Sequence, residues 1–174
     1  MRIAGLKLND CIDGEGISVS LWTQGCPHRC KGCHNPETWD PNGGHDLPYD
    51  IKGQIVKAIS ANGIQRNFSI LGGEPLSLQN QKMVLEILKA VFTSYSKIKI
   101  FVWTGYTLEE LIERATEDKE MEEILSMITV LIDGRYEESL RDITLTLRGS
   151  RNQRIWEKNE NGEWEDKTSL YDSI

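Results

Sequence analysis

Three of the four cysteines in the chain lie together in one short segment, as Cys26, Cys30 and Cys33. This C-x3-C-x2-C spacing constrains the fold, because thiolates so close in sequence can converge on one metal centre when a loop wraps around it. Pro27 restricts Cys26 to extended backbone conformations, and Pro36 does the same to the residue before it, so both ends of the segment are stiff. The spacing therefore predicts a metal-binding loop with rigid ends.

The number of local cysteines indicates which kind of metal centre this loop would hold. Iron–sulfur clusters are bound by cysteine thiolates, normally four for a four-iron cluster. Three local thiolates would leave one iron without a protein ligand, and an open coordination position distinguishes a reactive metal site from a structural one. The fourth cysteine, Cys11, lies in a glycine-containing turn and is interpreted as an inert, small apolar residue.

A zinc site is the alternative interpretation of the same loop. The three cysteines with either His28 or His34 would give a Cys3His ligand set, which is typical of structural zinc sites. The chain would then be an interaction module rather than an enzyme.

Composition excludes several other classes of protein. The 174 residues include 20 Lys and Arg against 27 Asp and Glu, giving a net charge of −7, so no basic surface for nucleic acid or an anionic membrane is expected. No apolar run is long enough for a signal peptide or a membrane span. Clustered cysteines are more typical of metal or redox chemistry in a reducing compartment than of a disulfide framework. We therefore expect a single cytoplasmic domain over residues 1–174.

Hydrophobic periodicity predicts alternating strands and helices. Apolar and polar residues alternate over residues 17–23, which predicts a strand leading into Cys26. Thr107 and Glu110 form a capping box that starts a helix, and Asn161 with Gly162 indicates a hairpin that extends the domain from about residue 155. The remaining strands are predicted at residues 1–8 (an edge strand), 68–71, 99–103, 129–132 and 143–147, and the helices at 49–62, 77–92 and 108–127.

Alternating strands and helices favour an α/β fold with a mostly parallel sheet. Ligands of such folds bind at the carboxyl ends of the strands. The segments that carry unusual residues each follow a predicted strand, so we expect them to gather on one rim of the sheet. They are the cysteine loop and residues 72–75, 104–106, 133–135 and 148–150.

The segment at residues 72–75 has the sequence Gly-Gly-Glu-Pro and lies between a predicted strand and a predicted helix. Two glycines allow a ligand to approach the backbone, and carbonyl groups there can accept hydrogen bonds from an ammonium group. An ordinary strand-to-helix turn, with Pro75 near the first helical turn, is the alternative.

The cysteine spacing together with this segment resembles the radical S-adenosylmethionine superfamily, whose members share a partial or complete (β/α) barrel. The sequences at residues 13–16, 25–33, 35–39, 131–136 and 148–155 are similar to those of the anaerobic ribonucleotide reductase activating enzymes, a family of glycyl-radical activators. This resemblance covers residues 9–156.

The resemblance implies an oxidoreductase activity. Cys26, Cys30 and Cys33 would hold a [4Fe-4S] cluster whose fourth iron binds S-adenosylmethionine. An external one-electron reductant such as a flavodoxin would drive cleavage of the cofactor to methionine and a 5′-deoxyadenosyl radical. That radical would remove a hydrogen atom from a backbone glycine in the large catalytic subunit of the reductase. Another radical enzyme, acting on a small molecule or a different glycyl-radical enzyme, is the nearer alternative.

The resemblance also implies contacts to the cofactor. The methionine amino group would meet residues 72–74, and adenine would lie near Cys33. An acidic-x-basic pair in related activators places its cation at the methionine carboxylate. The implied cofactor-binding residues are Gly32, Cys33, His34, Gly72, Gly73, Glu74, Asp133 and Arg135, while Arg148, Ser150 and Arg154 would hold the cofactor or dock the partner.

Overall fold

A computed structural model describes residues 1–172 as an α/β fold built on one eight-stranded sheet. The strands are β1 (Arg2–Asp10), β2 (Ser18–Thr23), β3 (His45–Asp46), β4 (Asn67–Gly72), β5 (Ile100–Trp103), β6 (Val130–Asp133), β7 (Arg154–Lys158) and β8 (Trp164–Asp166). The helices are α1 (Ile51–Ile59), α2 (Leu78–Ser94), α3 (Leu108–Ala115), α4 (Lys119–Met127) and α5 (Thr168–Tyr171).

The sheet is mixed, so the prediction of a mostly parallel sheet is wrong. Its order is β3-β1-β2-β4-β5-β6-β7-β8. The neighbours among β2, β4, β5 and β6 are parallel, whereas β3, β1, β7 and β8 all pair antiparallel. Antiparallel strands need only a short connection, while parallel ones need a crossover. The turn after β1 and the hairpin between β7 and β8 are short, and the strands that they join return antiparallel.

The two faces of the sheet carry separate hydrophobic cores, because side chains alternate along each strand. Helices α1 to α4 cover one face, where Val19, Phe68, Val102 and Leu131 are buried with the helix residues. The opposite face has a smaller core, formed by Phe101, Val130, Ile132, Ile155 and Tyr171. The central strands are buried on both faces, as is usual for parallel strands.

The prediction of a strand at residues 143–147 is also wrong. Ile143 is 83% exposed, and the segment is an irregular loop that is flanked by one isolated bridge, between Arg141 and Ser150. The sequence alternates as a strand would, but Leu147 adopts a φ of +59°, which an extended strand does not.

Three element boundaries differ from the predictions. Strand β1 is not an edge strand, because the two-residue β3 pairs with its outer side. The helix predicted at 108–127 is two helices, since the Asp118 side chain accepts hydrogen bonds from Glu120 N and Met121 N and starts α4. Helix α1 ends at Ile59 and is followed by a 3-10 turn at Ala61–Gly63.

The local signals for turns and caps are confirmed. The capping box between Thr107 and Glu110 starts α3, and the turn at 161–162 joins β7 to β8. No helix within residues 1–172 is both long and apolar enough to cross a bilayer.

Candidate metal and cofactor site

The cysteine loop leaves the sheet at the carboxyl end of β2 and is closed at its base by backbone hydrogen bonds. Gly25 N donates to Thr38 O at 2.8 Å, and Cys26 N donates to Trp39 O at 3.2 Å. Within the loop, Cys33 N donates to Cys30 O at 3.1 Å. All three thiols are free and half-buried. The loop therefore returns to its starting point and holds its cysteines on one side of the sheet edge.

The backbone conformation at position 32 favours glycine. Its φ of +75° lies in the left-handed region that side chains rarely adopt. A Cβ there would also lie 2.8 Å from the Oε1 atom of Glu138, at the end of a flexible side chain that can move away. A side chain at this position is therefore disfavoured by the backbone and not by a lack of space.

The segment after β4 lies directly against the beginning of the cysteine loop. Gly73 N donates to Thr23 O, and Glu74 N donates to Gly25 O, both at 2.8 Å. A Cβ at Gly73 would lie 2.6 Å from Gly25 O, so only glycine allows this approach. The two segments that the sequence singled out are thus joined backbone to backbone.

The Glu74 side chain is fully buried and makes hydrogen bonds to three different segments. Its carboxylate accepts from Thr104 Oγ1 at 2.8 Å, from Gly105 N at 2.7 Å and from Leu76 N at 2.9 Å. It also lies 2.8 Å from His28 Nε2, within the cysteine loop. The His28 ring packs edge-on against Tyr106, with ring centroids 4.6 Å apart. Glu74 therefore fixes the cysteine loop to the ends of β4 and β5.

All three cysteines line one cavity together with Gly72, Gly73 and Glu74. A second cavity, of about 370 Å³, is also lined by His34. The two cavities are adjacent, because they share lining residues, and we call them together the cleft. The shared residues are Cys33, Gly72, Trp103, Tyr136 and Gln153. The volume of the second cavity is within the range of about 300–1,000 Å³ that is usual for small-molecule sites.

Two of the three thiols, those of Cys26 and Cys30, are held in the protonated form by their environment. Burial raises the pKa of Cys26, and the negative charge of Glu74 raises it further. Burial also raises the pKa of Cys30. Binding of a metal would displace these protons, because a coordinating thiol is deprotonated. No three His, Cys, Asp or Glu side chains among residues 1–172 are arranged as ligands of a single metal ion.

Asp133 and Arg135, the acidic-x-basic pair, contact different parts of the protein. Asp133 is fully buried and accepts hydrogen bonds from Leu108 N at 2.7 Å and from Arg154 Nη2 at 2.6 Å. Arg135 lies 3.3 Å from a Glu110 carboxylate oxygen, and its side chain is about half exposed. Asp133 thus joins α3 to β7, whereas Arg135 lies at the surface.

Several residues of the cleft were not among the cofactor residues expected from the sequence. They are His28, Trp103, Thr104, Tyr136 and Gln153. The rule that ligand sites follow the carboxyl ends of strands placed Thr104 on the predicted rim, and it would also have indicated Trp103, because β5 ends there. Gln153 precedes β7, which runs antiparallel to β6, and no local signal placed it at the same rim.

The donor set of the cleft fits an iron–sulfur cluster with one open iron. It supplies three thiols, and the histidine beside them is hydrogen-bonded to Glu74. Cys11 is exposed in the turn after β1. Residues 12–156 match the model of a family described as a 4Fe-4S single cluster domain.

Three curated proteins that are similar to this chain carry the same name. The chain is 38% identical over 150 residues to the anaerobic ribonucleoside-triphosphate reductase-activating protein of Pasteurella multocida, covering 84% of this chain and 91% of the relative. Proteins of the same name from Escherichia coli (strain K12) and Enterobacteria phage T4 are each 34% identical, covering 83% and 89% of this chain and 90% and 92% of the relatives. The chain belongs to the family of anaerobic ribonucleoside-triphosphate reductase-activating proteins.

Membership of this activating-protein family decides between the two metal centres that the sequence left open. A 4Fe-4S cluster is bound by cysteine thiolates and needs no histidine ligand. The zinc-module interpretation also gives no account of the contact between the cysteine loop and residues 72–74. The cleft is therefore the candidate active site of this activating protein.

Proposed function

We propose that this chain activates an anaerobic ribonucleotide reductase by generating a glycyl radical on its large catalytic subunit. The reaction would use a [4Fe-4S] cluster held by Cys26, Cys30 and Cys33. S-adenosylmethionine would bind at the iron that has no protein ligand. The observation that carries this proposal is the single cleft in which three thiols face the backbone of residues 72–74.

When bound, the cluster would pass one electron from an external reductant to the sulfonium, giving methionine and a 5′-deoxyadenosyl radical that takes a hydrogen atom from the target glycine. The protein's own residues prepare the cleft for this step. Glu74 and His28 hold the cysteine loop against the ends of the strands. Trp103 and Tyr136 line the cleft, where they reduce access of water to reactive species.

The individual contacts to the cofactor are part of the same proposal. Backbone groups of Gly72 and Gly73 would receive the methionine amino group, because the Glu74 carboxylate is already hydrogen-bonded within the protein. Gly32 and His34 flank Cys33 and would lie near adenine. Arg135 would have to break its contact with Glu110 to reach the methionine carboxylate. Asp133 would act indirectly, through its hydrogen bond with Arg154.

We further propose that the four central parallel strands and their helices form a partial barrel of the radical S-adenosylmethionine type. Residues 1–174 would make one domain, with the β7–β8 hairpin as its extension from about residue 155. An external one-electron reductant such as a flavodoxin would supply the electron. The free cysteines favour the reducing environment of the cytoplasm.

The decisive experiment is anaerobic incubation of the purified protein with S-adenosylmethionine, a reductant and the anaerobic reductase. Electron paramagnetic resonance should detect a glycyl radical on the reductase. Substitution of Cys26, Cys30 or Cys33 by Ala should abolish the signal and lower the bound iron and acid-labile sulfide. Cys11→Ala is the matched control, and it should keep the cluster and the activity.

Two results would contradict the proposal in different ways. Stoichiometric zinc without acid-labile sulfide in the purified protein would show that the loop binds zinc and not an iron–sulfur cluster. Cleavage of S-adenosylmethionine without a glycyl signal on the reductase would retain the cofactor chemistry but reject this partner.

A further inference from the structure

Two loops that are distant in sequence form the wall of the cleft away from Cys26 and Cys30. Ile12 and Asp13 belong to the turn after β1, and residues 147–149 belong to the loop before β7. Both are irregular segments, so their positions depend on contacts with other parts of the chain. Strands contact both loops, as Ser69 does at Asp13 and Trp103 at Leu147. Both loops are also contacted by the segment of β8 and α5 at residues 164–172, which we call the C-terminal strap.

The first contact joins the strap to the turn after β1. The Tyr171 hydroxyl donates to Glu15 Oε1 at 2.5 Å. Lys99 Nζ contacts the other oxygen of Glu15 at 2.9 Å. Burial opposes ionisation of Glu15, but the hydrogen bonds from Tyr171 and Lys99 bring its pKa below the usual value. The carboxylate is therefore ionised at neutral pH and makes charge-assisted hydrogen bonds, which are stronger than neutral ones.

The second contact joins the strap to the loop before β7. The Arg148 guanidinium forms an ion pair with Asp172, and its Nη1 donates to Gln153 O at 2.9 Å. The Arg148 side chain is 1% exposed and lines the cleft. Removal of the partner of such a buried charge is costly, because the charge is then left uncompensated.

The strap is itself anchored to the sheet. Lys167 N donates to Ile155 O at 2.8 Å, and Ile155 N donates to Thr168 Oγ1 at 2.9 Å. Tyr171 is 4% exposed and packs in the smaller core with Phe101 and Ile132. The strap therefore links both loops to the sheet and restricts their positions.

We propose that the C-terminal strap sets the affinity of the cleft for S-adenosylmethionine, with Tyr171 and Asp172 as positioning residues. Neither residue lines the cleft; each acts through a residue of a cleft-wall loop, Glu15 or Arg148. Both lie C-terminal to the region that matches the family model. The inference rests on the proposed function, since it names the cofactor as the molecule that the wall contacts.

The test compares Tyr171→Phe, Asp172→Asn and the double variant with the native protein, using a chemical reductant and the reductase. The apparent KM for S-adenosylmethionine should rise about five- to tenfold in each single variant and further in the double variant. The iron and sulfide content and kcat at saturating cofactor should change less than twofold. Asp172→Glu, which can still pair with Arg148, should restore most of the affinity.

Leu170→Ala is the matched control, because Leu170 lies on the same helix and is 58% exposed. It should leave KM unchanged. An unchanged KM in the double variant would overturn the inference, and so would a loss of cluster or of folded protein that accompanies every rise in KM. A native protein that does not cleave S-adenosylmethionine would instead overturn the proposed function.

Discussion

Glu74 shows at the scale of one residue why a motif position need not be a ligand. Its carboxylate makes contacts with His28, Leu76, Thr104 and Gly105, and its side chain is inaccessible to solvent. A carboxylate that is already satisfied in this way has little capacity to bind a further molecule. Its acidic side chain serves the geometry of the loops, and the backbone beside it remains for the cofactor.

The substitution Glu74→Gln should lower the free energy of unfolding by about 1–3 kcal/mol, because the new NH2 group faces donors and leaves at least one of them unsatisfied. Chemical denaturation of the anaerobic protein measures this. Glu37→Gln, at an exposed position of the same region, should leave the unfolding midpoint unchanged. Equal stabilities of native protein and Glu74→Gln would show that the carboxylate does not organise the site.

At the scale of elements, periodicity and capping patterns predicted the local structure better than the pairing of strands. The alternation at residues 17–23 and the capping box before α3 describe contacts that are close in sequence. The alternation at residues 143–147 is equally regular, but the neighbour of β6 in the sheet is β7. The choice between these two segments depends on long-range contacts that neither pattern contains.

The contacts at the end of β6 also depend on strand pairing that the sequence patterns do not contain. The resemblance implied that Asp133 and Arg135 form an acidic-x-basic pair whose cation meets the methionine carboxylate. The sequence could not show that Arg154, from the antiparallel neighbour β7, would contact Asp133. By contrast, the cysteines could be expected to lie on one loop, because all three are close in sequence.

The contrast between Asp133 and Arg135 can be tested by substitution. Asp133→Asn should lower the free energy of unfolding by about 1–3 kcal/mol, because the new amide group faces the donors Leu108 N and Arg154 and leaves at least one of them unsatisfied. Arg135→Gln should cost less than about 1 kcal/mol, because its contact with Glu110 is exposed. Urea denaturation of both variants measures these values. A larger loss for Arg135→Gln would contradict the division between a structural and a surface residue.

At the scale of the whole molecule, parallel strands with helices on one face form the centre of the sheet, and antiparallel strands extend it on both sides. The cysteine loop and residues 72–74 follow adjacent parallel strands, β2 and β4, so their backbones meet at one rim. The turn after β1 reaches the opposite, smaller-core face, where Asp13 lies in the cleft wall. The location of an acidic group there makes the stability of the whole fold depend on pH.

Burial, together with the hydrogen bond and the negative charge of Asp10, raises the pKa of Asp13 to about 7. A group with a raised pKa in the folded state binds its proton more tightly there than in the unfolded chain. Its contribution to stability is therefore complete below the unfolded pKa of 3.8 and is lost as pH rises towards 7. Asp13→Asn removes this loss, so the variant should exceed the native protein in stability at pH 7.5 by at least about 1.4 kcal/mol, the value of one pKa unit.

Urea denaturation between pH 5 and 7.5 isolates this effect from other acidic groups. Hydrogen bonds from Arg154 lower the pKa of Glu109 to about 2, so its contribution is constant above pH 4.5 and does not vary in this window. The difference between Asp13→Asn and the native protein should grow steadily as pH rises from 5 to 7.5. Asp40→Asn, at an exposed position, should show no such growth. A constant difference for Asp13→Asn across the window would mean that the Asp13 carboxyl does not titrate there.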